Sequence, residues 1–259
     1  MSALLIVVVI VWLALAMTFA WAVRLRTGQS GWIDTIWSAA TGLAGIFVAL
    51  TAASSARPWL AAGLILVWGA RLAAHIGGRT RGAGDDPRYA ALEREWGADF
   101  SRRLFQFLQI QGAASWPLVL AIAIAARSPR PFPDAFDLAG VVVAAAGLAG
   151  EAISDAQMSR YRRTSPRGGI CESGLWRYSR HPNYFFEVLF WCAWPFIAFD
   201  PADPLSLLAF AAPAFMYGLL VYVSGVPPLE KHMRESRGAA FDAYARRVNR
   251  FFPGPPRRD

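Results

Sequence analysis

"ALLIVVVIVWLALAMTFAWA", residues 3–22, is an apolar run without a single charge. A helix rises about 1.5 Å per residue, so about 20 such residues cross the roughly 30 Å hydrocarbon core of a bilayer. No basic segment precedes the run, and more runs like it follow. It therefore reads as a transmembrane helix rather than a cleaved signal. Further spans are read at 32–53, 58–77, 106–126, 136–157, 183–199 and 204–225. The expected fold class is all-α: a polytopic membrane protein of seven transmembrane helices, forming a single domain over 1–259. Its first partner is the lipid bilayer.

Composition agrees with that class. The chain is 55% hydrophobic and holds 11 Trp and 17 Phe, many for a soluble domain of 259 residues. Two cysteines, Cys171 and Cys192, are too few for a disulfide framework or a metal cluster, so no metal site is expected. Net charge is +8, and Lys231 is the one lysine among 26 basic residues. A GC-rich genome, which favours Arg and Ala codons together, accounts for the arginine bias more readily than phosphate recognition does. The placement of the arginines says more.

Alternate connecting segments, 23–31, 78–105, 158–182 and the tail after 226, hold 22 basic residues between them. The opposite segments hold three, Arg57, Arg127 and Arg130. Positive charge marks the cytoplasmic side, so the N-terminus is expected outside and the C-terminus in the cytoplasm. The cytoplasmic side also holds two amphipathic stretches. "DPRYAALEREWGADFSRRLF" (86–105) mixes both charge signs with apolar positions three and four apart and reads as a surface helix. "FDAYARRVNRFFPGPP" (241–256) reads as a short helix closed by Pro and Gly. In the fifth span, Gly140, Ala144, Gly147 and Gly150 make a small-residue stripe suited to close helix packing.

Charged groups inside spans are costly and normally face a protein interior or a wet cavity. Here they recur at helical steps. Trp68, Arg71 and His75 share one face of the third span, and Glu151 and Asp155 one face of the fifth. Asn183 and Glu187 are one turn apart in the sixth, as are Asp34 and Trp37 in the second. All fall in the cytoplasmic half of their spans, which suggests one polar cavity open to the cytoplasm. A structural ion-pair network, or Asp34 capping its helix end, would use the same residues. The basic loops, with Arg177 and Arg180 at the rim, suit a ligand with phosphates outside and a polar ring inside. A nicotinamide dinucleotide has that shape. S-adenosylmethionine would also favour buried acids but needs fewer arginines. There is no G-x-G-x-x-G after a strand, and no nucleic-acid partner is expected.

At "GLWRYSRHPNYFFE" (174–187) the chain resembles the steroid 5-alpha-reductase superfamily, most closely its bacterial branch of uncharacterised membrane proteins. "DTIWS" (34–38), "WGARLAAHIGGR" (68–79), "DDPRYAALEREWG" (85–97), "EAISDAQMSRYR" (151–162) and "VSGVPPLEKH" (223–232) carry the rest of the resemblance. It implies a seven-helix membrane reductase that uses NADPH. Asn183 and Glu187 look like the pair that holds the nicotinamide end. Asp155 and Arg162, with Glu151 nearby, look like the ribose and phosphate partners. Tyr178, Arg180 and His181 fall in the loop that lines the cofactor. Ser224, Glu230 and His232 fall in a further cofactor-contacting stretch, where the family's His-rich run is replaced by "SGVPPLEKH". The Gln-Glu pair with which steroid reductases bind a ketone is absent from 32–53, so a 3-keto steroid is not implied.

The expected activity is hydride transfer from NADPH to a carbon–carbon double bond of a lipophilic substrate, a lipid or a steroid-like or isoprenoid molecule. His75, with Asp34 and Trp68 beside it, is the candidate donor to the enolate oxygen. His75 serves equally well as a packed histidine. The same Arg-His-Pro…Glu pattern resembles the isoprenylcysteine carboxyl methyltransferases, which use S-adenosylmethionine. The paired Glu-Glu of that group is missing here, since Lys231 follows Glu230. A non-enzymatic lipid-binding or transport protein is the third alternative. The expected location is a bacterial inner membrane, with the cofactor site facing the cytoplasm.

Overall fold

A computed structural model describes residues 1–52, 55–81, 86–165 and 168–257. Asp85 of the family resemblance, Arg167 and Arg258 of the charge count, and the last residue of the span 32–53 lie outside the described residues. Among the described residues the chain is helical throughout, with no strand. Among the described residues, six helical stretches are long and apolar enough to cross a membrane: Ala3–Thr27, Gly31–Leu50, Arg57–Thr80, Arg88–Ala126, Ala135–Thr164 and Pro204–Arg237. This is the pattern of a polytopic membrane protein.

The helices are α1 (Ala3–Thr27), α2 (Gly31–Leu50), α3 (Arg57–Thr80), α4 (Pro87–Trp96), α5 (Phe100–Ala114), α6 (Trp116–Ala126), α7 (Ala135–Thr164), α8 (Pro182–Trp191), α9 (Ala193–Ala198), α10 (Ala211–Gly218), α11 (Val226–Arg237) and α12 (Ala239–Arg247). Three of them depart from the sequence expectation. The span at 183–199 is two short helices, α8 and α9, of ten and six residues. Pro195 lacks the N–H that would reach the Trp191 carbonyl, and its ring crowds that carbonyl. The span at 106–126 breaks at Ser115 in the same way, two residues before Pro117. The surface helix read over 86–105 stops at Gly97, whose φ of +51° suits glycine and closes α4. The chain then starts α5 at Phe100 and runs on into the membrane-length stretch.

The chain forms two compact units, 1–137 with 194–212, and 138–193 with 213–259. In the first, α1 buries a single stripe, Leu5, Val9, Leu13, Met17, Ala20 and Arg24, and exposes Leu4, Val7, Ile10, Leu15 and Phe19. An apolar face of that length is rare on soluble proteins and suits lipid. Helices α2 and α3 meet backbone to backbone: a Cβ built on Gly69 would lie 3.3 Å from the Gly42 Cα.

Two arginines tie this unit together. Arg24 donates to Ser30 Oγ at 2.7 Å and to Glu93 Oε2 at 2.8 Å, and lies over the Phe100 ring. Arg57 is fully buried and bidentate with Asp137, with Nε and Nη2 each 2.8 Å from a carboxylate oxygen. Its other donors go to the carbonyls of Ser128, Arg130 and Pro131. Such a pair is stable because both charges are hydrogen-bonded as well as paired.

In the second unit, α7 and α8 pack along the small-residue stripe. A Cβ on Gly147 would lie 2.6 Å from the Phe190 backbone nitrogen, and one on Gly150 2.2 Å from the Phe186 ring. Ala144, one turn earlier, is fully buried.

Candidate functional site

The residues singled out from the sequence fall into two groups. Asp34, Trp37, Trp68, Arg71 and His75 belong to the first unit, and the others to the second.

In the second unit the framework is the loop ahead of α8. Helix α7 anchors its start: Gln157 Oε1 accepts from the Leu175 N–H at 2.9 Å, and the Ser154 carbonyl from Trp176 Nε1 at 3.0 Å. The C-terminal segment fixes its end. The Ser179 hydroxyl donates to the Phe251 carbonyl at 2.7 Å, and the Arg180 N–H to Asn249 O at 2.9 Å. The Gly254 N–H donates to Tyr178 O at 3.0 Å, and the Tyr244 hydroxyl to Trp176 O at 2.6 Å. Helix α7 thus holds Leu175 and Trp176, and the backbone of 249–254 holds Tyr178, Ser179 and Arg180.

From this loop His181, Arg180 and Glu230 meet. Arg180 Nε donates to Glu230 Oε1 at 2.8 Å, and His181 Nε2 lies 3.1 Å from the same oxygen. The remaining Arg180 contacts are the carbonyls of Ala245 and Val248. Its side chain is 9% exposed, so Arg180 stands inside the fold and not at the rim where the sequence put it. Arg177 and Tyr178 are exposed. Burial pushes the His181 imidazole below its usual pKa, assisted by the charges of Arg180 and Arg250, while Glu230 pulls the other way. The neutral ring stacks on Tyr184, with centroids 5.6 Å apart. A carboxylate only accepts, so Nε2 carries the proton. That leaves His181 Nδ1 a buried acceptor with no partner among the described residues.

Helix α8 then starts at Pro182, whose missing N–H costs nothing at the first turn. Asn183 is half-buried, and its amide makes no hydrogen bond among the described residues. One turn on, Glu187 is buried and accepts from Trp191 Nε1 at 2.9 Å. On α7, Glu151 is buried, Asp155 is half-buried and Arg162 is exposed. Ser224 closes a π-helical turn over Leu219–Val223, with its N–H on the Leu219 carbonyl at 2.8 Å. Such turns often accompany functional sites. His232, on α11, is half-buried.

In the first unit, Asp34 is engaged by the helix that follows α3. Arg88 Nη2 forms an ion pair with it, and the Tyr89 hydroxyl lies 3.4 Å from its second oxygen. Arg88 also pairs with Asp86 at 2.9 Å. Sequence reading missed both Arg88 and Tyr89 as partners of Asp34, 54 and 55 residues away. Trp68 is fully enclosed, edge-on to Trp37 at 6.1 Å, and Trp37 donates to the Ser115 hydroxyl at 2.7 Å. His75 is half-buried.

What this arrangement offers chemically is a half-buried amide, an orphaned imidazole nitrogen and buried carboxylates, with exposed arginine nearby on the chain. Comparison with known proteins adds a family and no activity. No solved structure matches the chain. The chain is 27% identical over 266 residues to uncharacterized protein C594.04c of Schizosaccharomyces pombe, covering 90% of this chain and 75% of that one. The model of the family "Protein of unknown function (DUF1295)" matches residues 20–248, and the chain belongs to that family.

Proposed function

We propose that the protein is a seven-span membrane reductase that binds NADPH from the cytoplasm and reduces a carbon–carbon double bond of a lipophilic substrate. The observation that carries the proposal is the polar set on and ahead of α8. Asn183 has an uncommitted amide, and His181 Nδ1 is an acceptor buried without a partner. A buried polar atom without a partner is costly, and a carboxamide, which both donates and accepts, fits such a pair. The resemblance of this stretch to the steroid 5-alpha-reductase superfamily points the same way.

On this proposal NADPH, when bound, supplies a hydride. Asn183 and Glu187 would hold its carboxamide, Glu151 and Asp155 its ribose hydroxyls, and Arg162 its phosphates. Ser224, His232 and the exposed ring of Tyr178 would border it. Glu230 and Arg180 act one step back, by fixing the tautomer and position of His181. His75 is the candidate for donating a hydrogen bond to the substrate oxygen and a proton to carbon; Asp34 is engaged by Arg88, and Trp68 is enclosed.

The test is NADPH fluorescence with the detergent-purified protein, with S-adenosylmethionine as competitor. The expected result is saturable enhancement that S-adenosylmethionine does not reverse. Binding of S-adenosylmethionine with no response to NADPH would replace this proposal by the methyltransferase alternative.

A further inference from the structure

Two cavities in the first unit carry a site independent of the nucleotide residues, none of which lines them. The first, about 620 Å³, lies between α1 and α5, walled by Ile10, Leu13, Ala14, Gln109 and Ala113. The second, about 350 Å³, is walled by α1, α6 and the segment after α9. Ile6 and Trp116 belong to both walls, so the two adjoin along α1. Each falls in the range of about 300–1,000 Å³ typical of small-molecule sites.

Their linings differ in a directed way. The first is almost wholly apolar, and its polar residue, Gln109, is already bonded to Thr18 at 3.2 Å. The second adds Arg127, Asp200 and Asp203. Among the described residues none of these three forms an ion pair. The contrast with Arg57, Arg130, Asp134 and Asp137 in the same unit is direct, because those four pair with one another. Asp200 is 9% exposed; one oxygen takes the Ala202 N–H, and the other has no hydrogen-bond partner among the described residues. Among the described residues Asp200 thus has no cation, and it lines a cavity shared with a guanidinium that has no counter-ion: Arg127 donates to the carbonyls of Val48 and Ala123 at 3.1 and 3.0 Å and to the Thr51 hydroxyl at 2.7 Å.

Length narrows the occupant. From Ile6 to Ala14, α1 rises about 12 Å, close to the roughly 15 Å half-thickness of a bilayer's hydrocarbon core. Ile10, in the apolar wall, is 54% exposed, so the groove opens on the apolar face of α1. An apolar channel one leaflet deep, ending in separated charges of both signs, matches a molecule with a hydrocarbon tail and a zwitterionic head. We propose that this groove holds one phospholipid, its acyl chain along α1, its phosphate at Arg127 and its primary ammonium at Asp200 and Asp203.

Native mass spectrometry of the full chain from detergent tests it, with dioleoyl phosphatidylethanolamine and dioleoyl phosphatidylglycerol added as probes. The expected result is a single phosphatidylethanolamine adduct that outlasts the phosphatidylglycerol adduct, with a preference of roughly tenfold. Asp200→Asn with Asp203→Asn keeps the local N–H acceptors and is expected to abolish the preference. Ala113→Phe, or Ala14→Phe from the opposite wall, is expected to remove the adduct, with monodispersity and helicity reporting that each variant folds. Equal retention of the two lipids, adducts that survive both wall variants, or a protein dimer in place of the adduct would overturn the proposal.

Discussion

His181 Nε2 and Arg180 Nε converge on one oxygen, Glu230 Oε1, at 3.1 Å and 2.8 Å. The contact joins the loop ahead of α8 to α11, 49 and 50 residues further along the chain. Both side chains of the Arg180–Glu230 pair are nearly enclosed, at 9% and 5% exposure. Removing one partner of such a pair leaves a buried charge uncompensated, at a cost of about 3–5 kcal/mol. Glu230→Ala is therefore expected to lower the thermal midpoint of the purified protein by many degrees. Arg180→Ala combined with it should cost less than the two single changes summed. Additive losses would show that the pair is not coupled.

Acidification should act on the same cluster. The pKa of folded His181 lies below its ordinary value of 6.5, with burial as the first cause. The unfolded chain therefore takes up this proton before the folded one, and stability rises with pH across the interval between the two values. Lowering the pH below 6.5 should destabilise the protein progressively until the folded imidazole also takes up its proton, and His181→Gln should flatten that slope. A thermal midpoint as pH-dependent in the variant as in the parent would contradict the assignment.

Gly147 and Gly78 make a matched contrast. A Cβ on Gly147 meets the Phe190 backbone at 2.6 Å, whereas one on Gly78 meets nothing within 4 Å. Gly147→Ala should destabilise by about 1–3 kcal/mol through overpacking. Gly78→Ala should be neutral or stabilising by up to about 1 kcal/mol, through helix propensity. Thermal unfolding of the two variants reads the difference, and equal effects would show that α7 and α8 are not in this contact.

Arg57 clamps Asp137 and the carbonyls of Ser128, Arg130 and Pro131. Arg57→Met should lower stability by about 3–5 kcal/mol, since Asp137 is left buried with only the longer 3.9 Å contact to Arg130 as counter-charge. Arg57→Met with Asp137→Leu should regain much of the loss. Nucleotide binding by the folded fraction should not change. A selective loss of nucleotide binding with unaltered stability would reverse this assignment.

The sequence made the apolar stretches legible, because length and absence of charge are local properties. It made Asn183 and Glu187 legible for the same reason, since two polar groups one turn apart stand out in an apolar run. Breaks inside apolar runs were harder to see. Pro117 and Pro195 interrupt helices without interrupting hydrophobicity, so 106–126 and 183–199 read as continuous spans. Partners were hardest of all. Arg57 meets Asp137 across 80 residues and Asp34 meets Arg88 across 54, and helical periodicity carries no information at those separations. The same limit hid the role of the tail 249–254, whose backbone fixes Tyr178, Ser179 and Arg180.

The central claim is that the α8 polar pair binds the nicotinamide end of NADPH. Isothermal titration of NADPH into the detergent-purified protein, beside Asn183→Ala and Glu187→Ala, tests it most directly. The expected result is one saturable site in the parent, with affinity reduced at least about tenfold, or about 1.4 kcal/mol, in each variant, while both keep the parent's helicity. NADPH binding of equal affinity in all three proteins, or no binding in the parent, would contradict it.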